Sequence, residues 1–273
     1  MQILRNVKEV KAWRENINKT LGYVPTMGAL HDGHASLIKK AKSQNDVVIV
    51  TTFINPTQFL HGEDFEKYPK NEEKDCKICE DLGVDAVFIP NSDEIYIQNE
   101  PQIEACKNLS TILEGAIRPG HFDGVCKVLN KFFNLIKPQK VYFGKKDTQQ
   151  IFVVKNMIER FFMDLEIVPC EIVREADGLA LSSRNVYLDE NEKFLALKLS
   201  RSLKKAENLI SNGENDIKIL KLEMYKILEP LKVDYVEFVD RNFTKIDKFL
   251  PNNTIILVAA TVGKTRLIDN IWL

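Results

Sequence analysis

Pro25-Thr26-Met27-Gly28-Ala29-Leu30-His31-Asp32-Gly33-His34 is the stretch on which the reading of the fold turns. Residues 21–25 are a short apolar run of strand character, and apolar residues recur at helical spacing from about 33 to 43. A strand passing through a glycine turn into a helix opens a parallel sheet. Ligands of open parallel sheets bind at the carboxyl ends of the strands, where helix N-termini offer unpaired amides. Gly28 and Gly33 allow close backbone approach and unusual dihedrals. His31 and His34 can share one face of the first helical turn, from which two imidazoles can donate hydrogen bonds to phosphate oxygens. The chain has only four histidines, so two in this turn are read as functional, not as incidental surface residues.

The same alternation continues on both sides. Residues 6–19 carry Val7, Val10, Trp13 and Ile17 at helical spacing. Residues 47–54 are rich in β-branched side chains without alternation, which suits a strand buried on both faces. Helices are expected over 65–82, 124–136 and 148–162, and strands over 86–90, 141–144 and 165–168. Strand and helix repeated in this way predict an α/β fold with a parallel sheet covered on both faces. The pattern changes after residue 173. A polar loop, 174–185, leads to helices over 190–212 and 216–228 and then to β-type runs at 235–239, 254–260 and 265–273. That succession predicts an α+β unit, so two domains are expected, 1–172 and 173–273.

Composition narrows the function classes. With 273 residues and 44% apolar side chains, the chain can bury a sizeable core. Lys and Arg total 38 against 39 Asp and Glu, a net charge of −1, which argues against nucleic acid as a partner but leaves room for a local anion pocket. The longest apolar runs, such as 47–50, are far too short to span a membrane, and residues 1–19 lack the apolar stretch of a secretory signal. Five cysteines, an odd number thinly spread, suit a reducing compartment. A cytoplasmic, soluble enzyme is expected. Cys76-Lys77-Ile78-Cys79 reads as two helix cysteines without redox or metal function, and His61 as a surface residue. Lys39, Lys40, Lys42 and the basic stretch 198–205 read as solvated helix faces. Phe132, Phe133, Phe161 and Phe162 read as core or subunit interface.

Four further motifs carry chemistry-bearing residues. They are Phe53-Ile54-Asn55-Pro56-Thr57-Gln58-Phe59, Glu114-Gly115-Ala116-Ile117-Arg118-Pro119-Gly120-His121-Phe122-Asp123-Gly124-Val125, Val141-Tyr142-Phe143-Gly144-Lys145-Lys146-Asp147-Thr148-Gln149-Gln150, and Arg174-Glu175-Ala176-Asp177-Gly178-Leu179-Ala180-Leu181-Ser182-Ser183-Arg184-Asn185. The His31–His34 turn resembles the HxGH signature of the nucleotidyltransferase superfamily. All five motifs, in this order, resemble the pantothenate synthetase (pantoate–β-alanine ligase) family, and they cover most of the first 185 residues.

The resemblance implies a Rossmann-like N-terminal domain that binds ATP and pantoate, and a smaller α+β lid domain. It implies ATP-dependent joining of pantoate to β-alanine through pantoyl adenylate, with AMP and pyrophosphate released. Met27, Gly28, Ala29, Leu30, His31, Asp32, Gly33 and His34 match the family's ATP-binding segment. His31 and His34 lie toward the phosphates, and His34 matches the proton or hydrogen-bond donor. Gln58 matches the contact to pantoate and β-alanine, and Gln150 a second pantoate contact, with Asn55 and His121 supporting that pocket. Gly144, Lys145, Lys146 and Asp147 match the nucleotide-binding turn, in which Lys146 would neutralise phosphate charge and Asp147 accept from ribose hydroxyls. Val173 would meet adenine, while Leu181, Ser182, Ser183 and Arg184 match the second phosphate-binding loop. Mg²⁺ would be held mainly by the ATP phosphates, without a dedicated metal cluster. A homodimer is also implied.

Two positions depart from the family pattern: Lys145 stands where Glu is more frequent, and Leu181 where Met is common. Two rival readings stand beside the ligase. One is a nucleotidyltransferase that stops at a transferred nucleotide, against which Asn55, Gln58 and Gln150 argue. The other is a non-catalytic tRNA-binding protein on a synthetase-like fold, against which the near-zero charge argues.

Overall fold

The computed structural model describes residues 1–273. The first half contains β1 (Gln2–Leu4), α1 (Val7–Glu15), β2 (Leu21–Thr26), α2 (Asp32–Gln44), β3 (Val47–Thr52), α3 (Glu72–Asp81), β4 (Ala86–Phe88) and three single-turn helices, α4 (Ser92–Ile95), α5 (Lys107–Ser110) and α6 (Glu114–Ile117). Then follow α7 (His121–Ile136), β5 (Lys140–Gly144), α8 (Thr148–Arg160) and β6 (Glu166–Cys170). The last third is α9 (Glu190–Ser211), α10 (Ile217–Leu228), β7 (Lys232–Val239), β8 (Ile255–Val262) and β9 (Thr265–Trp272).

The fold is α/β, with a separate α+β unit. Six strands form one parallel sheet in the order β1-β4-β3-β2-β5-β6. From β2 the chain steps outward to β3 and β4, then returns to the other side of β2 with β5 and β6. That reversal between β2 and β5 is a topological switch point. Both faces of the sheet are covered. Val24, Val48, Val50 and Val87 pack with Leu37, Ile38 and Ala41 of α2. On the opposite face Tyr23 meets the rings of Phe132 and Phe133 of α7 edge-on, at 6.5 and 6.2 Å. Tyr23 and Val24 are neighbours in sequence and so point to opposite faces.

Several expected elements differ, each for a local reason. The helix expected over 65–82 is a 3₁₀ turn, Phe65–Lys67, followed by α3. Pro69 lies between them and cannot continue a helix, and Asn71 starts the new one by accepting from the amide of Lys74 at 3.0 Å. The first helix stops at Glu15, short of residue 19, where Asn16 turns its amide back to the carbonyls of Trp13 and Arg14. β1 is only three residues long, too short for any period to reveal. The four phenylalanines divide: Phe132 and Phe133 are core, but Phe161 is 49% and Phe162 93% exposed.

By packing, the chain divides into residues 1–144 with 149–171, and residues 145–148 with 172–273. The four residues Lys145–Thr148 thus pack with the second unit, which a single cut at 172/173 does not capture. In that unit β7, β8 and β9 form an antiparallel sheet. Its core joins Leu199, Leu203, Leu220, Met224 and Leu228 of α9 and α10 to Phe238, Ile256 and Val258 of the sheet. The helix α9 opens with a capping box between Asp189 and Glu192. No helix is long and apolar enough to cross a membrane.

Ile38 is fully buried where α2 meets the sheet, whereas Lys39 beside it is exposed. Ile38→Ala is expected to cost about 2–5 kcal/mol in chemical denaturation and Lys39→Ala less than about 0.5. Equal costs would contradict this account of the α2 face.

Candidate active site

The turn after β2 is bent by two successive left-handed residues, Gly28 (φ 82°) and Ala29 (φ 50°). Ala29 has a Cβ and is strained there by about 1–2 kcal/mol. A buried carboxylate holds the strained turn. Asp75 of α3, 2% exposed, accepts from the amides of Ala29 at 2.9 Å and Leu30 at 2.7 Å. Burial raises the Asp75 pKa although both amide bonds pull it down. The side chain of Thr26 spans the bend, accepting from Gly28 N at 3.1 Å and donating to Thr51 O at 2.6 Å.

His31 and His34 open α2. Nδ1 of His31 accepts from the amide of Gly33 at 3.1 Å, and Nδ1 of His34 from the amide of His31 at 3.4 Å. Their rings lie 4.1 Å apart, centre to centre. Because both Nδ1 atoms accept, each neutral ring carries its proton on Nε2. The cap therefore sets the tautomer that makes both rings Nε2 donors.

Asn55, Gln58, His121 and Met27 belong to one hydrogen-bonded cluster in the first unit. The 3₁₀ turn Pro56–Gln58 follows β3, with Asn55 as its cap. Asn55 is buried and accepts from the Tyr96 hydroxyl at 2.5 Å and the Thr57 hydroxyl at 2.9 Å. Its amide nitrogen donates to Gln58 Oε1 and Gly124 O, both at 3.1 Å. Burial pushes the Tyr96 phenol up to about 12, so it remains a donor. Gln58 Nε2 donates in turn to the sulfur of Met27 at 3.0 Å. Gly124 is required where α7 approaches this turn, because a Cβ there would lie 2.7 Å from Gln58 N.

His121 acts on Gln58 through the backbone. Nδ1 donates to Gln58 O at 2.8 Å, and Nε2 must accept from the Arg118 guanidinium at 3.1 Å, since arginine has only donors. Arg118 is held by a bidentate pair with Glu63, both bonds at 2.6 Å. Both ring nitrogens of His121 are thus engaged within the protein. At the start of α8, Gln149 is buried, bonding Glu114 N, Leu109 O and Ile112 O, and Gln150 beside it remains partly exposed.

Of the remaining predicted residues, Gly144 ends β5 in the first unit and the others lie in the second. Lys145–Asp147 is a 3₁₀ turn directly after Gly144, with the Lys146 ammonium 3.2 Å from Asp147 Oδ1. Val173 O accepts from Leu181 N at 3.0 Å, closing a small loop in which Gly178 takes φ 102°. Ser182 caps the next turn by accepting from Arg184 N at 3.2 Å, with Ser183 as its first residue. Asn185 anchors that turn through Glu175 and the carbonyl of Ala180, both at 3.1 Å. No group of three or more His, Cys, Asp or Glu side chains is arranged to hold a metal ion.

Asp75, Tyr96 and Glu63 escaped the sequence reading. Asp75 sits inside the charged run Glu72-Glu73-Lys74-Asp75, where nothing separates the buried carboxylate from its exposed neighbours. Arg118 lies inside a quoted motif but gave no sign of its task.

Burial, with the charge of Arg118, lowers the pKa of His121 to about 4. Protonation would remove the acceptor that faces Arg118, so the folded state disfavours the charged ring. The unfolded chain binds that proton first, near pH 6.5, and stability is therefore lost as pH falls from about 6.5 towards 4, by on the order of 3 kcal/mol. Denaturation midpoints across this range are expected to fall less steeply for His121→Gln than for the wild type. Parallel curves would rule out His121 as the source.

The chain has full-length relatives. A sequence model described as pantoate–β-alanine ligase matches residues 2–272. A pantothenate synthetase of Campylobacter hominis is 64% identical over 273 residues, covering all of both chains. A crystal structure of the Thermus thermophilus pantothenate synthetase superposes with a TM-score of 0.95 at 36% identity, covering 100% of this chain and 99% of that one. A pantoate–β-alanine ligase from Francisella tularensis, solved in complex with β-γ ATP and β-alanine, gives a TM-score of 0.83 at 37% identity, with 100% and 97% covered. On this full-length agreement of sequence and fold, the chain belongs to the pantoate–β-alanine ligase family.

Proposed function

We propose that the chain condenses pantoate with β-alanine to give pantothenate, driven by ATP. The observation that carries this reading is 64% identity over the whole chain to a pantothenate synthetase. The chemistry divides into two steps. A pantoate carboxylate oxygen attacks the α-phosphorus of ATP and the bond to pyrophosphate breaks, leaving pantoyl adenylate. The amine of β-alanine then attacks the acyl carbon, and AMP leaves with the electrons of the carbon–oxygen bond. A carboxylate is a poor acyl electrophile, which is why the mixed anhydride must come first. Catalysis is mainly positioning and charge stabilisation.

In this reading the Met27–His34 segment binds ATP, and His31 and His34 donate through Nε2 to phosphate oxygens. Lys146, Arg184 and the hydroxyls of Ser182 and Ser183 stabilise phosphate charge. Asp147 accepts from the ribose, Val173 meets adenine, and Gly144, Lys145 and Leu181 complete the nucleotide contacts. Gln58 and Gln150 bind pantoate, and Gln58 also receives β-alanine. Asn55 and His121 act indirectly, by fixing the side chain and the carbonyl of Gln58. Mg²⁺ is carried by the ATP phosphates. Residues 173–273 act as a lid unit, the enzyme is a homodimer, and it works in the cytoplasm.

ATP–pyrophosphate exchange with Mg²⁺ tests the first step. Exchange is expected only when pantoate is present, and adding β-alanine should yield pantothenate and AMP. If neither exchange nor β-alanine-dependent AMP release occurs, the ligase reading is wrong. His34→Ala and Lys146→Ala are each expected to lose roughly 10²-fold in rate. His34→Ala should also lose about 1 kcal/mol of stability with its share of the helix cap.

Asp75 offers a test of the turn that it holds. Its raised pKa means that ionising the carboxyl costs the folded state free energy as pH rises through the carboxylate range. Asp75→Asn removes that cost while turning an amide group towards the amides of Ala29 and Leu30. Pantoate-dependent exchange is expected to fall about tenfold or more and the melting temperature to fall with it, because one of the two amides loses its acceptor. A variant with full exchange activity would refute the role of Asp75 in shaping the turn.

A further inference from the structure

Strand β9 carries side chains that grip both nucleotide segments of the second unit. Asn270 is 2% exposed and donates its two amide hydrogens to consecutive carbonyls, Lys145 O at 2.8 Å and Lys146 O at 2.9 Å. Two carbonyls can be met only by the NH₂ end of the amide, so its orientation is dictated. The opposite atom, Asn270 Oδ1, is buried without a partner. A buried acceptor left unmet destabilises, so the arrangement is poorly explained as a device for stability. Two residues on, the indole of Trp272 donates to Thr148 Oγ1 at 3.0 Å, and Thr148 Oγ1 donates to Lys145 O at 2.5 Å. The Lys145 ammonium lies 4.9 Å from the centre of the Trp272 ring. This places a cation on an aromatic face at the position where the family more often has Glu.

Asp269, the residue before Asn270, grips the other segment. It forms a bidentate pair with Arg174 at 2.6 and 2.8 Å, and Arg174 also donates to Gly178 O at 3.1 Å. The Asn270 amide donates to the same Asp269 carboxylate at 2.8 Å. One dipeptide on β9 therefore holds the Lys145–Asp147 turn and the base of the loop that leads to Ser182, Ser183 and Arg184.

We infer that Asn270, with Trp272, is a positioning residue for ATP: it fixes the backbone of Lys145 and Lys146 so that the Lys146 ammonium is presented to the nucleotide in one geometry. The inference rests on the reading of Lys145–Asp147 as part of the ATP site. Asn270 acts through the nucleotide, which ATP and pantoyl adenylate both carry, because no group it holds is assigned to free pantoate or β-alanine.

The test compares Asn270→Ser, Trp272→Phe and Lys146→Ala in the full-length protein. Trp272→Phe keeps the ring and removes only the N–H, and it serves if Asn270→Ser does not fold. Asn270→Ser is expected to raise KM for ATP about tenfold or more, and Trp272→Phe by a few-fold. KM for pantoate and KM for β-alanine should stay within about twofold of the wild type. A role in folding alone would lower the active fraction and move kcat in both half-reactions without raising KM for ATP, and that pattern overturns the inference. If Lys146→Ala weakens ATP while Asn270→Ser and Trp272→Phe leave it unchanged, the inference fails and the ATP site stands. If Lys146→Ala also has no effect on ATP, the reading of the turn itself is wrong and the inference falls with it.

Discussion

Every assigned loop of the first unit depends on how β2 is paired. It runs parallel to β3 over six residues, Leu21–Thr26 against Val47–Thr52, and lies beside β5 on its other edge. Parallel pairing makes the three strands end at the same edge of the sheet. The chain must therefore leave at Thr26, Thr52 and Gly144 on one side. A one-residue slip of β2 would exchange Tyr23 and Val24 between faces, moving a phenol into the aliphatic layer under α2. The Tyr23 hydroxyl bonds Thr51 at 2.8 Å on the α7 side, which adds a polar reason for the same register. The sheet's alignment is thus fixed by burial on both faces before any substrate is considered.

Beyond the β3 exit, the cluster around Gln58 is built from polar groups that are themselves supported. Asn55 fixes Gln58, Tyr96 fixes Asn55, and the ammonium groups of Lys127 and Lys131 lie over the Tyr96 ring, both at 5.3 Å. On the backbone side, Glu63 holds Arg118, Arg118 fixes the tautomer of His121, and His121 holds the Gln58 carbonyl. Gln58 is therefore constrained at both its amide and its main chain. Rigid support of this kind fixes a side chain in advance, so that less would be lost in ordering it on binding.

What was legible in the sequence was local. The HxGH turn, the β-branched run of β3 and the two long helices of the second unit each announce themselves within a dozen residues, and the element order followed from them. The helix expected across Pro69 shows the limit of reading apolar spacing without giving that proline its full weight. The supporting residues were hidden for a different reason. Asp75 acts on amides 45 and 46 residues away, Gln149 on a segment 35 to 40 residues away, and Asn270 on carbonyls 124 and 125 residues away. Such contacts leave no spacing to detect, and a buried Asp or Asn looks in sequence like an exposed one. His121 was expected to support the pocket of Gln58, and its ring is committed to Gln58 O and Arg118.

The start of α2 joins two demands that proteins usually keep apart. Elsewhere a helix start can drift among Ser, Thr, Asp and Asn with little consequence, since any short oxygen can cap it. Here the capping atoms are Nδ1 of His31 and His34, which leaves the ring proton on Nε2. Exchanging His31 for Asn or Ser would satisfy the backbone at least as well and would remove the Nε2–H that the proposed phosphate contact uses. Selection for stability and selection for chemistry therefore pull in opposite directions at one position. A stabilising search that scored only the fold would be drawn to replace the very rings on which the proposed chemistry relies.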